Sequence, residues 1–376
     1  LGTVDKEYYW KHFSTFVKKA DLYTCFVEKS LSLLKTGGQF GFIISNGFLR
    51  LDSFEKLRVL LLEQTSIERI VDFTDYVFER ANVKTAILLF TKAFSQNHAI
   101  LVATTTANAD LETLEFVEIP QDTYKETYKC IFDLSISQEQ QVIKRKVWQN
   151  AVELGAIFEL SFGLKTGDDS KFLTNSEETS KHKPLLRGAN IHRYSYAFEG
   201  EYVWYAPEQM RAHRMTARPG TSERFEQPKI LVRDTGGGLQ ATFDEKNYYV
   251  KDVIVVSLSS KDRKRLLFLT GLINSTLMRF YYETSFPTLH VQRDELASLP
   301  IRTIDFDDPA DVARHDRVVA LVERMLDLHR RLAAAHLAHE KRLLQQQIDV
   351  TDKAIDALYA LTPEEIAIVE GDASQS

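Results

Sequence analysis

The sequence predicts an α/β fold for the first third of the chain, a mixed α+β domain in the middle and a helical segment at the end. Three observations predict this order. Short apolar runs alternate with helical patterns up to about residue 130, aromatic and β-branched segments separated by turns follow, and a heptad-like pattern begins near residue 310. A chain of 376 residues is long enough for two or three cores. We therefore predict domains at 1–130, 150–305 and 306–376.

The first domain is predicted from alternating strand and helix patterns. A helical pattern covers residues 20–34, and Ser53 is placed to cap a second helix at 54–62. Apolar runs typical of buried strands occupy 40–45, 67–73 and 85–90. No glycine-rich cofactor loop follows any of these strands. We therefore expect only the second half of a Rossmann-like sheet.

The second and third domains differ in their periodicity. Strand-like segments at 202–205, 229–233 and 253–256 are separated by polar or glycine-rich turns, and 263–282 has a helical pattern. Further on, apolar residues recur at spacings of three and four: Val318, Leu321, Met325, Leu328, Leu332 and Ala335. Packing through 310–348 can be intramolecular or with a helical partner. We favour an intramolecular hairpin, because Thr362-Pro363 soon breaks the pattern.

Composition narrows the class of protein. A net charge of −6 argues against coating nucleic acid by bulk positive charge, but local basic patches can still bind it. Cys25 and Cys130 are too few and too far apart for a disulfide framework or a zinc site, and we expect buried thiols in a reducing cytoplasm. The histidines lack metal-ligand spacing, and no apolar run is long enough to span a membrane. The opening Leu1-Gly2-Thr3 has no initiator Met, which suggests a fragment.

Three stretches carry a family resemblance: 20–46, 70–88, and 183–194 with the ending at 352–366. They resemble gamma-class N6-adenine DNA methyltransferases of restriction–modification systems, of the type IIG kind. Residues 20–46 resemble the segment after that family's Asn-Pro-Pro-Tyr catalytic motif, and 70–88 resemble its later motif. Residues 183–194, together with the ending at 352–366, are similar to TaqI-like C-terminal specificity domains. The resemblance covers nearly the whole chain.

The resemblance implies roles and also shows what is missing. Phe78 stands where the family's later motif places an aromatic residue near the flipped adenine, flanked by Glu79, Arg80 and Asn82; the alternative is a core residue beside Val77. The S-adenosylmethionine loop and the Asn-Pro-Pro-Tyr motif are both absent from the chain. A full-length parent is therefore expected to methylate DNA with S-adenosylmethionine. The fragment alone is expected to bind no cofactor and to be inactive.

Candidate DNA-binding residues follow from side-chain chemistry, because arginine favours guanine and asparagine favours adenine. Residues predicted to contact DNA form two groups and one loop position: Arg187, Asn190, His192 and Arg193; Arg211, Arg214, Arg218 and Arg224; and Lys165, within Gly163–Gly167. The alternative for the arginines is a solvated face paired with Glu208, Glu223 and Glu226. A plain turn is an equal alternative for the Lys165 loop.

These observations favour the sequence-recognition part of a site-specific N6-adenine DNA methyltransferase, a cytoplasmic protein whose partner is double-stranded DNA. The alternative is a non-catalytic specificity subunit that works with a separate methyltransferase. A protein-interaction scaffold unrelated to DNA is a third, weaker alternative. The half sheet at the start of the chain favours the methyltransferase, because a pure specificity subunit has no use for such a sheet. The target sequence and the presence of a nuclease do not follow from one sequence.

Overall fold

The computed structural model describes residues 3–17, 20–78, 83–93, 95, 97–134, 138–236, 238–286, 290–356 and 361–370. The chain divides into two compact units, Leu1–Gln138 and Glu139–Ser376. Each unit encloses a hydrophobic cluster of its own. The predicted fold class is confirmed, since an α/β unit precedes a mixed unit that ends in helices. The predicted division into three domains stays a prediction.

The first unit is built around one five-stranded sheet. Its helices are α1 (Thr3–His12), α2 (Tyr23–Leu33), α3 (Gly47–Arg50) and α4 (Glu55–Gln64). Its strands are β1 (Gln39–Ser45), β2 (Ser66–Phe73), β3 (Thr85–Thr91), β4 (Ala99–Thr105) and β5 (Val117–Pro120). The order across the sheet is β1-β3-β2-β4-β5, with β2 and β4 parallel and the other neighbours antiparallel. The sheet is therefore mixed, and the predicted strands lie within two residues of β1, β2 and β3.

The predicted cap of α4 is wrong. Ser53 lies inside a short 3-10 turn, Asp52–Phe54, and the α-helix starts only at Glu55. No side chain accepts a hydrogen bond at the start of this helix, whose capping position is Phe54. Phe54 is buried and stacks on Tyr23. Core packing of an aromatic side chain has therefore set the start of this helix in place of a serine cap.

A buried arginine joins three segments of the first unit. Arg58, on α4, is fully buried and donates hydrogen bonds to the carbonyl oxygens of Phe48 (2.7 Å), Leu51 (2.9 Å) and Lys129 (3.0 Å). Burial lowers the pKa of the guanidinium below its ordinary value. Three backbone carbonyl groups, of which that of Phe48 is in a buried hydrogen bond, thus share one side chain as their donor.

Replacing Arg58 with Met should lower the free energy of unfolding of the first unit by about 3 kcal/mol, at about 1 kcal/mol for each carbonyl left without a donor. Lys56→Met on the same helix is the matched control, because Lys56 is exposed. Hydrogen exchange of peptides covering α3 and α4 should speed up only in the Arg58 variant. Equal exchange in both variants would show that these hydrogen bonds contribute little.

The second unit contains two four-stranded sheets. One has the order β15-β9-β12-β8 and the other β14-β13-β16-β7. The strands of the unit are β6 (Ala151–Glu153), β7 (Glu159–Phe162), β8 (Leu173–Thr174), β9 (His182–Arg187), β10 (Ile191–His192), β11 (Ser195–Tyr196), β12 (Tyr202–Trp204), β13 (Lys229–Arg233), β14 (Ala241–Asp244), β15 (Tyr249–Lys251), β16 (Val253–Ser257) and β17 (Pro300–Arg302). Its core includes residues from both sheets, such as Leu185, Val203, Leu231 and Val255. Asp252 alone connects β15 to β16, and so connects one sheet to the other.

Helices surround these sheets and end the unit. They are α5 (Gln138–Trp148), α6 (Leu154–Ile157), α7 (Asp169–Phe172), α8 (Pro207–His213), α9 (Ser222–Phe225), α10 (Arg263–Asn274), α11 (Thr276–Ser285), α12 (Arg293–Ala297), α13 (Pro309–Ala334), α14 (Ala338–Asp356) and α15 (Pro363–Glu370). The helical pattern at 263–282 is interrupted at Ser275, whose side chain caps α11 by accepting a hydrogen bond from the Met278 amide.

The heptad-like residues lie mainly on α13, which packs against both α14 and α10. Val318, Met325 and Leu328 are buried there, as are Leu344 and Ile348 on α14. The apolar seam is thus covered within the same unit. A separate helical partner for 310–348 stays a prediction.

Candidate nucleic-acid interface

A cleft of about 970 Å³ opens along β7, the edge strand of its sheet, and beside α8 and α9. Five cationic side chains line it: Lys165, Arg211, Arg218, Arg224 and Arg293. Two carboxylates, Asp234 and Asp252, line it as well. We call this the basic cleft. An excess of cations in a concave surface raises the local positive potential although the chain as a whole is acidic.

Backbone packing fixes the loop that carries Lys165. The backbone amide and carbonyl of Lys165 form two hydrogen bonds of 2.8 Å with those of Arg218. This bridge holds the two cationic residues next to each other. A Cβ at Gly163 would lie 2.4 Å from the Val250 carbonyl oxygen, and Gly167 has a φ of 82°. Close approach and the left-handed conformation both require glycine here. The backbone of the loop therefore requires both glycines. The Lys165 side chain is exposed, and the packing of the loop does not require it.

Arg211 and Arg214 are exposed and form no salt bridge with any residue that the structure describes. The acidic residues expected to pair with these two arginines form no salt bridge with them. Glu226, for example, contacts Lys183 (3.3 Å) and accepts a hydrogen bond from the Tyr249 hydroxyl (2.9 Å). Arg214 lies beside the cleft, at the start of a turn closed by the Ala217 amide. These two arginines present unneutralised charge to solvent.

Arg218, Arg224 and Arg293 are more constrained. Arg218 donates to the carbonyl oxygens of Met215 (2.7 Å) and Ala217 (2.8 Å), and Arg224 donates to that of Phe162 (3.1 Å). Arg293 lies over the Phe162 ring, 5.6 Å from its centre. A carbonyl carries no net charge, so Arg218 and Arg224 keep their positive charge in the cleft, whereas Arg293 also forms a salt bridge with Asp294 (2.9 Å). Sequence reasoning missed Arg293 because it is far along the chain from the other cations and has no local basic pattern.

The group around Arg187 is held together by contacts within the protein. Arg187 forms two hydrogen bonds of 2.7 Å with the Glu201 carboxylate, which raises the pKa of the guanidinium. Asn190 is buried, and its side-chain oxygen accepts a hydrogen bond from the Arg187 amide (2.7 Å). His192 is exposed. None of these residues lines the basic cleft, although Arg187 pairs with Lys251, the residue before the cleft residue Asp252.

Arg193 connects the strands to the C-terminal helices. Its Nη2 atom donates to the carbonyl oxygen of Asn274 (2.6 Å) and to both carboxylate oxygens of Asp352 on α14 (2.7 and 2.8 Å). The predicted base-reading roles of Arg187, Asn190 and Arg193 stay predictions. Each of these side chains already satisfies a partner within the chain.

Replacing Asp352 with Asn should weaken the attachment of α14 by about 1 kcal/mol, because the partly exposed pair loses its ionic component. Amide exchange in α14 should then speed up. Asp349→Asn is the matched control, since Asp349 is exposed on the same helix and accepts only from Gln345 (2.9 Å). Indistinguishable exchange in the two variants would remove the structural role that we assign to Arg193.

Phe78 belongs to the first unit and is 47% exposed, so it is not the core residue considered as an alternative. Asp72, at the end of β2, accepts hydrogen bonds from Asn46 (2.8 Å) and Arg50 (2.9 Å), which anchors the start of the segment leading to Phe78. Glu79, Arg80 and Asn82 lie outside the described residues. The role of Phe78 near a flipped adenine stays a prediction.

The part of the chain that the structure describes gives little support for a metal site or a membrane-spanning helix. There, no group of three or more His, Cys, Asp or Glu side chains is placed to hold a metal ion. Cys25 is buried and Cys130 half-buried, and both are free thiols. No described helix has both the length and the apolar character required to cross a membrane.

Comparison with protein families identifies two segments. Residues 183–301 match the family described as the TaqI-like C-terminal specificity domain, and residues 2–78 match the Eco57I restriction-modification methylase. The resemblance predicted from the sequence is thereby confirmed. The first segment contributes every arginine of the basic cleft, and the second contains Phe78.

Individual relatives agree with these matches. The chain is 25% identical over 307 residues to the Type II methyltransferase M.TthHB8I of Thermus thermophilus, covering 80% of this chain and 64% of that protein. It is 29% identical over 99 residues to the Type II restriction enzyme and methyltransferase RM.Eco57I of Escherichia coli, covering 26% of this chain and 10% of the other. The chain thus spans less than two thirds of either relative.

A solved structure shares the fold. The Type IIL restriction-modification enzyme MmeI, solved in complex with DNA, superimposes with a TM-score of 0.58 at 13% identity. The match covers 98% of this chain and 54% of that one. Both units of this chain therefore have counterparts in a single longer protein.

Proposed function

We propose that this chain, which joins part of an Eco57I-type methylase domain to a TaqI-like specificity domain, recognises a duplex DNA sequence for an adenine-specific methyltransferase. The observation that carries the proposal is the basic cleft, in which Lys165 and Arg211 form no salt bridge with the described residues. Phosphates supply the missing negative charge, and their contacts give most of the affinity for DNA.

Within this proposal the predicted residues take different roles. Lys165, Arg211, Arg214, Arg218 and Arg224 face the DNA, and Arg293 joins them. We assign Arg187, Asn190 and Arg193 to holding the recognition unit together. Arg187 bonds to Glu201, Asn190 accepts from the Arg187 amide, and Arg193 bonds to Asp352. A side chain must release such contacts before it can read a base, and that release costs free energy.

Methyl transfer itself would use S-adenosylmethionine, the methyl donor of this class of enzyme. The residues present do not fit that cofactor: no strand of the chain is followed by the glycine-rich loop that such a site uses, and Asn-Pro-Pro-Tyr is absent. We therefore propose no cofactor site and no catalytic step here. We also propose that the protein acts in the cytoplasm, together with the DNA that it recognises.

The proposal is tested by selection from randomised DNA. The chain is mixed at low salt with a pool of duplexes carrying random base pairs, and the retained duplexes are sequenced. We expect one defined motif to be enriched, because base contacts distinguish sequences whereas phosphate contacts do not. A retained pool as random as the starting pool would refute sequence recognition.

Phe78 is tested in the complete methyltransferase. Phe78→Ala should reduce the rate of adenine methylation about tenfold or more, since base–aromatic stacking contributes roughly 1–3 kcal/mol. Stability should change little, because the side chain is half exposed. Tyr76→Ala is the control, an exposed aromatic residue (56%) two positions away. The same small effect of both variants on methylation would contradict a role for Phe78 at the adenine.

A further inference from the structure

We propose that Asp252 reads a C·G base pair of the recognised sequence by accepting a hydrogen bond from the exocyclic amino group of cytosine. This inference rests on the proposed function and deepens it. Asp252 lines the basic cleft and is the single residue between β15 and β16.

The backbone fixes where Asp252 lies. As the residue between β15 and β16, it turns the chain from one sheet to the other with a φ of 56°. Its carbonyl oxygen would lie 2.5 Å from a Cβ at Gly188, so the two backbones approach each other closely. Both neighbours are paired in strands, Lys251 with Arg187 and Val253 with Arg233. The carboxylate therefore stands on a rigid support, as a specific contact requires.

The side chain of Asp252 is exposed, and it forms no hydrogen bond or salt bridge with the residues that the structure describes. The left-handed turn does not require a carboxylate, because asparagine and glycine adopt this conformation at least as well. The turn therefore accounts for the backbone of Asp252. The turn does not explain why Asp252 carries a charged side chain.

A free carboxylate in a DNA-binding cleft is repelled by phosphates unless it meets a hydrogen-bond donor. An ionised carboxylate only accepts hydrogen bonds. In the major groove, cytosine presents its N4 amino donor, whereas adenine presents N6 beside the acceptor N7, and guanine presents two acceptors. Cytosine is therefore the base that matches an isolated carboxylate best.

A second carboxylate strengthens this electrostatic preference. Asp234 lines the same cleft, and the pKa of its carboxyl is raised by burial and by the nearby Asp252 charge. The two acids are therefore close enough to interact, and two carboxylates side by side favour an amino donor over the acceptor atoms of guanine.

The experiment compares the duplexes selected by the wild-type chain with those selected by Asp252→Asn and Asp252→Gly. Both substitutions suit the left-handed turn and remove the carboxylate. Glu208→Gln is the control, because it removes one exposed negative charge on α8 outside the cleft. We expect the wild-type motif to contain one cytosine whose preference falls about tenfold in both Asp252 variants. The Asn variant should turn toward adenine there, since an amide can both donate to N7 and accept from N6.

The outcomes separate the two proposals. A wild-type chain that enriches no motif refutes the proposed function. A wild-type motif that is unchanged in both Asp252 variants overturns the base-reading role and leaves the proposed function intact. If both variants keep their thermal stability but lose DNA binding on every sequence, Asp252 does not act on one base pair, and the inference is also overturned.

Discussion

Replacing Lys165, Arg211 and Arg214 together with alanine should flatten the salt dependence of DNA binding by about 2.7 in the slope of log affinity against log salt. Each phosphate contact contributes roughly 0.9 to that slope through released counterions. The same loss corresponds to an affinity about 500-fold lower at 0.1 M salt, taking 1 M salt as the reference. These three side chains are exposed and form no salt bridge among the described residues. Arg218 is left in place because its guanidinium also supports the Met215 turn.

The control for this experiment removes three exposed cations elsewhere, Arg317, Arg324 and Lys341 on α13 and α14. It matches the change in net charge without touching the basic cleft. Binding to a fluorescent duplex, titrated at several salt concentrations, gives both slopes. If the control lowers the slope as much as the cleft variant does, the effect is one of overall charge and the cleft is not the interface.

Replacing Asp244 with Ala should destabilise the second unit by about 3–5 kcal/mol, since it leaves a buried ammonium without its counter-ion. Lys229 and Asp244 have fully buried side chains and form a salt bridge between β13 and β14. Burial lowers the pKa of Lys229, and the attraction of Asp244 opposes that decrease. Asp244 also accepts hydrogen bonds from the amides of Lys246 (2.9 Å) and Tyr248 (3.1 Å).

The pH dependence of the stability of Asp244→Ala provides an independent test of this salt bridge. Without Asp244 the pKa of Lys229 should fall further in the folded protein. At a pH above this lowered pKa, the unfolded chain binds more protons than the folded protein does. The stability of Asp244→Ala should consequently rise as pH increases from neutrality toward the ordinary lysine pKa. Chemical denaturation at a series of pH values measures this, and a decrease over that range would contradict the assignment.

A double variant separates the ion pair from the loss of packing. Lys229→Met with Asp244→Asn removes both charges and keeps an acceptor for the two amides. It should be more stable than Asp244→Ala, because replacing a buried ion pair with neutral side chains is often near neutral in free energy. Strictly additive losses from the two substitutions would show that Lys229 and Asp244 do not depend on each other.

Local patterns in the sequence predicted part of the element order, including three of the five strands of the first sheet. The apolar runs at 40–45, 67–73 and 85–90 became β1, β2 and β3, and the pattern after 310 became α13 and α14. Alternation and heptad spacing are local properties, which depend on the geometry of one strand or one helix. The family resemblance also depends on contiguous motifs, of which 20–46 and 183–194 lie within the matching segments 2–78 and 183–301. A single cap, by contrast, was mispredicted at Ser53, where burial of Phe54 prevailed.

Which polar side chains are available for a ligand depends on contacts between distant parts of the chain. Arg187 and Arg193 are as basic in sequence as Arg211 and Arg214, yet their partners lie 14 and 159 residues away. Arg293 and Asp252 carry no local signal, and they reach the basic cleft because distant strands and helices bring them there. Electrostatic interactions depend on distance in space and on burial, neither of which is a function of separation along the chain. A sequence pattern can therefore assign a charge to a segment, but the fold decides whether that charge is neutralised within the protein or stays exposed to solvent.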